Sequence, residues 1–248
     1  MLYALADGST VAQREGDGPL DVIFLHGWGR SGRDFTEVQR QCLAPGTSSM
    51  AIDLPGFGSS PPPTQAGGAR HYASLLSEAL FSDIERPVTL VGHSFGGRVA
   101  AVLAARHPGI MRGVVFTGAP LVRVASPKKA PIGYRAIRWG ARHGFVPEGR
   151  LEQARQKYGS ADYRAASGTM RDVLVATLAE TYEEELAQLT VPTLWVWGAN
   201  DADVPPLVAE RASALVAGPS SVRVLAGVGH LVPTESPESL AQAVRDLA

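Results

Sequence analysis

Cysteine is almost absent: Cys42 is the only one in 248 residues, so no internal disulfide staples the chain. It falls in an apparent first helix, where a thiol reads as buried and inert rather than reactive. No charge-free apolar run approaches the ~18 residues a membrane span requires, so none is expected. The opening Met1-Leu2-Tyr3-Ala4-Leu5-Ala6-Asp7-Gly8 has no basic n-region and no long apolar core, so no signal peptide is read there and a cytoplasmic location is expected. Excess charge is missing too. A formal net charge of −1 argues against a nucleic-acid partner bound through overall electrostatics. What remains, 45% hydrophobic residues over a length that buries a sizeable core, suits one large α/β domain with an insertion.

The most informative stretch runs from Pro87 to His107. Val88-Thr89-Leu90-Val91 has the β-branched, apolar density of a strand buried on both faces, and Val99 to Ala105 reads as a helix stopped by Pro108-Gly109. Between them lies Gly92-His93-Ser94-Phe95-Gly96-Gly97. A turn this sharp strains the backbone at Ser94 and exposes its hydroxyl, and it needs Gly92 and Gly96 on either side because neither has bulk. With 27 glycines, roughly 0.2 G-x-S-x-G matches are expected by chance, so the flanking strand and helix carry the assignment.

Taken in order, two short strands around the Asp7-Gly8 turn signal are expected to pair antiparallel at a sheet edge. Asp21-Val22-Ile23-Phe24-Leu25 has the length of a buried central strand and ends in His26-Gly27-Trp28-Gly29, whose glycines let the backbone approach another element. A helix from about Arg33 to Leu43 leads to a strand at Ser49-Met50-Ala51-Ile52 and then to Asp53-Leu54-Pro55-Gly56-Phe57-Gly58. There Asp53 is expected to hold the loop rather than to do chemistry. A crossover helix over residues 69–84, the elbow, and a strand at Gly113-Val114-Val115-Phe116-Thr117 continue the pattern of a parallel sheet covered on both faces. Thr193-Leu194-Trp195-Val196-Trp197 is the next strand. The intervening stretch is too long for one crossover and too helical for a loop. Residues 121–189 therefore read as a helical lid inserted after the sixth strand, with 1–120 and 190–248 as the core.

Trp197-Gly198-Ala199-Asn200-Asp201 puts a carboxylate after one strand, and Val224 to His230 puts an imidazole after another. Both loops leave strand C-terminal ends, on the side where the elbow and the ligands of open α/β sheets also lie. Ser94, Asp201 and His230 thus occur in the order serine, acid, histidine. Asp203 is the competing acid.

With these segments in hand, the chain resembles the α/β-hydrolase fold, specifically its small-lid serine esterases with an HGxG oxyanion loop. It is similar to pimelyl-carrier methyl esterases and related carboxylesterases, which share the HGWG and DLPGFG stretches but carry a Trp at the place of His93. Ring-opening C–C hydrolases and cofactor-free haloperoxidases are similar to a like degree. The resemblance implies a mostly parallel eight-stranded sheet covered by helices on both faces. It also implies ester cleavage through an acyl-enzyme, with Ser94 as nucleophile, His230 as base and Asp201 orienting it. Backbone N–H groups of Trp28 and Phe95 are the expected oxyanion donors, and His26, Gly27, Gly92 and Gly96 shape the loops. No metal or organic cofactor is implied. C–C, thioester or lactone cleavage by the same triad stays open, as does a slow-turnover receptor on the same fold. Finally, eleven Lys and Arg residues from Arg123 to Arg171, Lys128 and Lys129 among them, face only Glu148, Glu152, Asp162 and Asp172. They are read as solvated helix faces or as a positive ring around the pocket mouth that draws in an anionic or carrier-bound ester.

Overall fold

Two central strands set the architecture. In β3 (Leu20–Leu25) Val22 and Phe24 pack into one core cluster while Ile23 and Leu25 pack into another, which is the two-residue period of a strand covered on both sides. The computed structural model describes residues 2–5, 8–80, 84–124, 131–158 and 160–247, the side chain of Glu148 aside. Asp7, Lys128 and Lys129 and the end of the expected 69–84 helix lie outside the described residues.

Eight strands form one sheet in the order β1-β2-β4-β3-β5-β6-β7-β8. The others are β1 (Leu2–Leu5), β2 (Thr10–Glu15), β4 (Ser48–Asp53), β5 (Val88–His93), β6 (Met111–Thr117), β7 (Thr193–Gly198) and β8 (Ser220–Leu225). Only β2 runs against its neighbours, β1 and β4; all other pairs are parallel. The expected antiparallel edge and parallel body are both present.

Helices cover the two faces. On one, α1 (Thr36–Cys42) supplies Val38 and Cys42 to the cluster around Phe24 and Val196. On the other, α2 (Ala69–Leu80) and α3 (Phe95–Arg106) supply Tyr72, Leu76 and the run Val99–Ala104 to the cluster around Leu25, Leu90 and Phe116. Each large apolar side chain so buried contributes about 1.5–3 kcal/mol. Between β6 and β7 lie α4 (Ile132–Arg142), α5 (Glu148–Tyr158), α6 (Ala161–Ala165), α7 (Gly168–Ala179) and α8 (Glu183–Gln188). After β7 come α9 (Leu207–Ser213), α10 (Val232–Glu235) and α11 (Pro237–Arg245). The last packs with α1, through Leu240 and Val244.

Two details differ from the sequence reading. The helix expected from Arg33 opens as a 3-10 turn, Gly32–Phe35, because Asp53 Oδ1 accepts the Gly32 N–H at 2.8 Å and Phe35 packs against Phe24 with centroids 4.9 Å apart. In α7, where Met170, Val173, Leu174, Thr177 and Leu178 recur at helical spacing on one face, Val173, Leu174 and Thr177 are buried as that spacing predicts, but Leu178 is 55% exposed, because it faces an open cavity instead of the core. Cys42 is buried, and burial pushes its thiol up to about 12, so it stays protonated and inert.

Candidate active site

The strand-to-helix turn after β5 is as strained as its sequence demands. Ser94 has φ 51° and ψ −110°, the one positive φ at a non-glycine position among the described residues. Close approach explains both glycines. A Cβ at Gly96 would meet Leu25 O at 2.1 Å, and one at Gly92 would meet Gly97 Cα at 2.6 Å. Gly96 N–H donates to His26 O at 2.9 Å and Ser94 N–H to Thr117 O at 2.9 Å, so the turn is pinned between β3 and β6. Ser94 precedes α3 but its hydroxyl caps nothing, which removes the plain helix-capping explanation for this serine and leaves Oγ free.

Asp201 and His230 meet. His230 Nδ1 and Asp201 Oδ2 are 2.8 Å apart, and the Asp201 carboxylate is buried. Its other oxygen accepts the N–H groups of Asp203 (3.0 Å) and Val204 (2.8 Å), and the indole of Trp197 donates to Val204 O at 2.8 Å, tying the acid loop to β7. Burial pulls the His230 pKa down, but the hydrogen bond and charge of Asp201 outweigh it, with smaller help from Asp203 and Glu235. The net position is above the ordinary imidazole value. Asp203, the competing acid, is exposed and meets Asp201 through its backbone; its carboxylate makes no hydrogen bond to His230.

His26 and Gly27 border the serine. His26 is fully buried; its Nε2 accepts the Leu54 N–H at 3.0 Å, so the proton sits on Nδ1, which donates to Gly27 O at 2.7 Å. Burial lowers its pKa and keeps it neutral. A Cβ on Gly27 would lie 3.3 Å from Ser94 Cβ and 3.0 Å from His93 Cδ2, so this loop runs directly against the elbow. The Trp28 ring packs edge-on to Phe57 and Phe95, at 4.9 and 5.6 Å. Asp53 behaves as a loop anchor, accepting from Gly32 and Ser59 N–H, each at 2.8 Å.

Two residues near the site escaped sequence reasoning. Glu235 accepts Gly229 N–H (2.6 Å) and Leu231 N–H (3.0 Å), gripping the chain on both sides of His230; a glutamate in the single helical turn that follows the histidine was the available signal. His93 is fully buried with its ring 4.9 Å from that of His230, and its Nδ1 has no hydrogen-bond partner.

Ser94, Trp28, Phe95 and Leu174 line a cavity of about 150 Å³, roofed by α7. The basic residues between β6 and β7 divide. Arg155 and Arg171 pair with Glu152, whereas Arg135, Arg138 and Arg142 line a separate surface cleft with Ile132 and Trp139; Arg123 borders a larger cavity beside the first. Among the described basic residues of this stretch, Arg123 is the one that borders a cavity next to the serine. Among the described residues no cluster of three His, Cys, Asp or Glu is arranged to hold a metal, and no helix is long and apolar enough to cross a membrane.

The sequence profile of the alpha/beta hydrolase family matches residues 22–243, and the chain belongs to that family. It is an enzyme of the serine-hydrolase type that acts on carboxylic esters. Among its relatives, the pimeloyl-(acyl-carrier protein) methyl ester esterase of Aeromonas hydrophila subsp. hydrophila is 29% identical over 82% of this chain and 87% of that protein. The enzyme of the same name from Chromobacterium violaceum is 30% identical over 75% of this chain and 70% of its own length. A thermophilic esterase from Thermogutta terrifontis shares the fold, with a TM-score of 0.69 at 23% identity over 99% of this chain and 97% of that one.

Proposed function

We propose that Ser94, His230 and Asp201 cleave the ester as nucleophile, general base and orienting acid, through an acyl-enzyme. The observation that carries this reading is the buried Asp201 carboxylate 2.8 Å from His230 Nδ1, on the same side of the sheet as a serine held at positive φ with its hydroxyl uncapped. Ser94 Oγ attacks the ester carbonyl while His230 Nε2 takes its proton. The tetrahedral oxyanion is received by the N–H groups of Phe95 and Trp28 and by the positive end of α3. Collapse expels the alcohol, protonated by His230, and water attacks the acyl-enzyme with the same base assisting, releasing the acid and restoring Ser94. In the free enzyme Ser94 Oγ is not hydrogen-bonded to His230, and the contact is expected to tighten with substrate bound.

In this reading residues 121–189 act as a lid on a core of 1–120 and 190–248, which is supported by the α7 residues Leu174 and Leu178 at the serine cavity. The ester is anionic or carried on an acidic partner. Three supports favour this: the names of the two relatives, the exposed Arg123 beside the cavity, and the stretch 131–147, which holds three arginines and no acid.

Ser94→Ala tests the core of the proposal. It is expected to lower kcat on activated short-chain esters by about 10⁴-fold or more and to abolish labelling by a fluorophosphonate, with the fold intact by circular dichroism. Labelling retained in the folded variant would remove Ser94 from the nucleophile's role.

A further inference from the structure

Arg98 lies one helical turn beyond Ser94 on α3, about 6 Å along the axis, and borders the same cavity. It also borders the neighbouring cavity of about 570 Å³, together with Pro120, Arg123, Leu178, Glu180 and Asp203. Arg98, Pro120 and Leu178 are common to both spaces, so they form the waist between them. The serine cavity alone is small for an ester with any chain, since binding pockets run to about 300 Å³ and upward. Joined across this waist, the two have the size of a substrate channel. Leu178, more than half exposed at the waist, is the apolar wall such a channel requires.

The guanidinium at the waist is under-used. Nη1 donates to Thr177 O at 2.8 Å and the group rests over the Tyr182 ring, 5.8 Å from its centroid, but the buried Nε has no partner. No carboxylate of a described residue lies within 4.0 Å of it, although Glu180 and Asp203 border the same space; Glu180 is occupied by the Tyr182 hydroxyl at 2.8 Å. Asp162, at the exposed rim of the serine cavity, is the remaining acid nearby. Desolvation lowers the pKa of Arg98 and outweighs the opposing pull of Tyr182 and of the more distant Glu180 carboxylate, as befits a cation held out of water with no directly paired counter-ion. Its present acceptor is expendable. Thr177 O also takes the Glu180 N–H at 3.3 Å, so release of Arg98 leaves that carbonyl bonded.

We propose that Arg98 is the specificity residue of this esterase: it gives up Thr177 O and binds, through Nε and Nη, a second, ionised carboxylate carried by the ester substrate at the far side of the waist. The inference rests on the esterase reading above and adds the substrate class, half esters of dicarboxylic acids. A planar carboxylate matches two parallel N–H donors of the guanidinium and neutralises its charge, neither of which the single bond to the Thr177 carbonyl does.

The test compares half esters of dicarboxylic acids, graded in chain length, with isosteres bearing a primary amide in place of the free acid. For one chain length the wild type should favour the acid in kcat/KM by about tenfold or more, the range expected of a hydrogen-bonded charge. Arg98→Met should bring that ratio close to one, and Arg98→Lys should keep part of it. Raising the salt should leave most of the preference, because a direct contact is screened less than steering by exposed lid arginines. Equal kcat/KM for acid and amide in the wild type would overturn the proposal, as would an unchanged ratio in folded Arg98→Met or a preference erased by salt. If Arg98→Met does not fold, competitive inhibition of the wild type by the free diacid and its monoamide decides, equal inhibition counting against Arg98. A wild type that neither turns over any of these esters nor reacts with a fluorophosphonate would instead overturn the esterase reading beneath it.

Discussion

Asp201→Asn is the sharpest perturbation of the site, because the surroundings dictate how the new side chain must sit. One carboxylate oxygen of Asp201 receives two backbone donors, from Asp203 and Val204, and the other faces His230 Nδ1. Asparagine has one carbonyl oxygen and one NH₂. Turning the NH₂ toward the two N–H groups would bury donors against donors, at about 1–3 kcal/mol per unsatisfied group, so the carbonyl takes that side. The NH₂ then points at His230 Nδ1, which must accept, and the ring proton moves to Nε2. The imidazole faces the serine with the wrong tautomer, and the loss in kcat should be about 10⁴-fold, or roughly 5.4 kcal/mol at 1.36 kcal/mol per tenfold. A second signature concerns pH. Folding raises the His230 pKa above the ordinary imidazole value because Asp201 overcomes burial; without that charge burial is opposed only by the smaller pull of Asp203 and Glu235. The acid limb of kcat/KM, where activity falls as the base is protonated, should therefore lie above pH ~6.5 in the wild type and move down in the variant's residual activity. Steady-state rates on one activated ester across pH 4–9 measure both. A loss smaller than tenfold, an acid limb that moves upward, or greater damage from Asp203→Asn would refute the assignment of the acid.

Two further changes bear on the same geometry. Ser94→Gly should remove activity as completely as alanine does, yet raise stability by about 1 kcal/mol, because glycine relaxes a φ of 51° that costs of order 1–3 kcal/mol in other residues; thermal denaturation beside Ser94→Ala, which keeps the strain, reads the difference. Glu235→Ala frees the N–H groups of Gly229 and Leu231 and removes a charge that raises the His230 pKa; kcat should fall by about tenfold and the acid limb should shift down, whereas a limb left in place would confine Glu235 to a structural part.

Much of this molecule is legible locally. The elbow follows from a short β-branched and apolar run, two glycines and an alanine-rich helix in succession, and the sheet follows from strand-length runs whose alternate residues enter opposite clusters. The acid and the histidine are legible for a topological reason: parallel strands deliver every following loop to one edge. Contacts made by long side chains across elements are not encoded that way. The excess of basic residues between Arg123 and Arg171 is countable, but whether each is neutralised depends on folded neighbours. Glu152 binds both Arg155 and Arg171, while Arg135, Arg138 and Arg142 share a surface with Trp139. The same limit hid Arg98, whose spacing from Ser94 is visible in the chain but whose empty Nε is not.

Histidine shows how the fold decides which of several identical groups does chemistry. Three imidazoles lie around the elbow: His26 at the end of β3, His93 next to Ser94 in the chain, and His230 with its ring 4.9 Å from that of His93. His26 is buried, lowered in pKa, and has both ring nitrogens committed, one to Leu54 N–H and the other to Gly27 O, so it has no lone pair to offer a substrate proton. His93 is buried beside His230, and burial, aided by that neighbour's charge, pulls it down to about 3; it stays neutral through the working range and adds no positive charge against the base. His230 alone combines partial exposure with a carboxylate, so it alone becomes a better proton acceptor by folding. The pairing also affects stability, with a definite sign. Because the folded pKa of His230 lies above its unfolded value, the pair's contribution is fully present below about pH 6.5 and fades as pH rises through the folded value. In the proposed mechanism only the neutral ring accepts the serine proton, so the base is competent where that contribution is already being lost, and the charged pair returns for the lifetime of the tetrahedral intermediate.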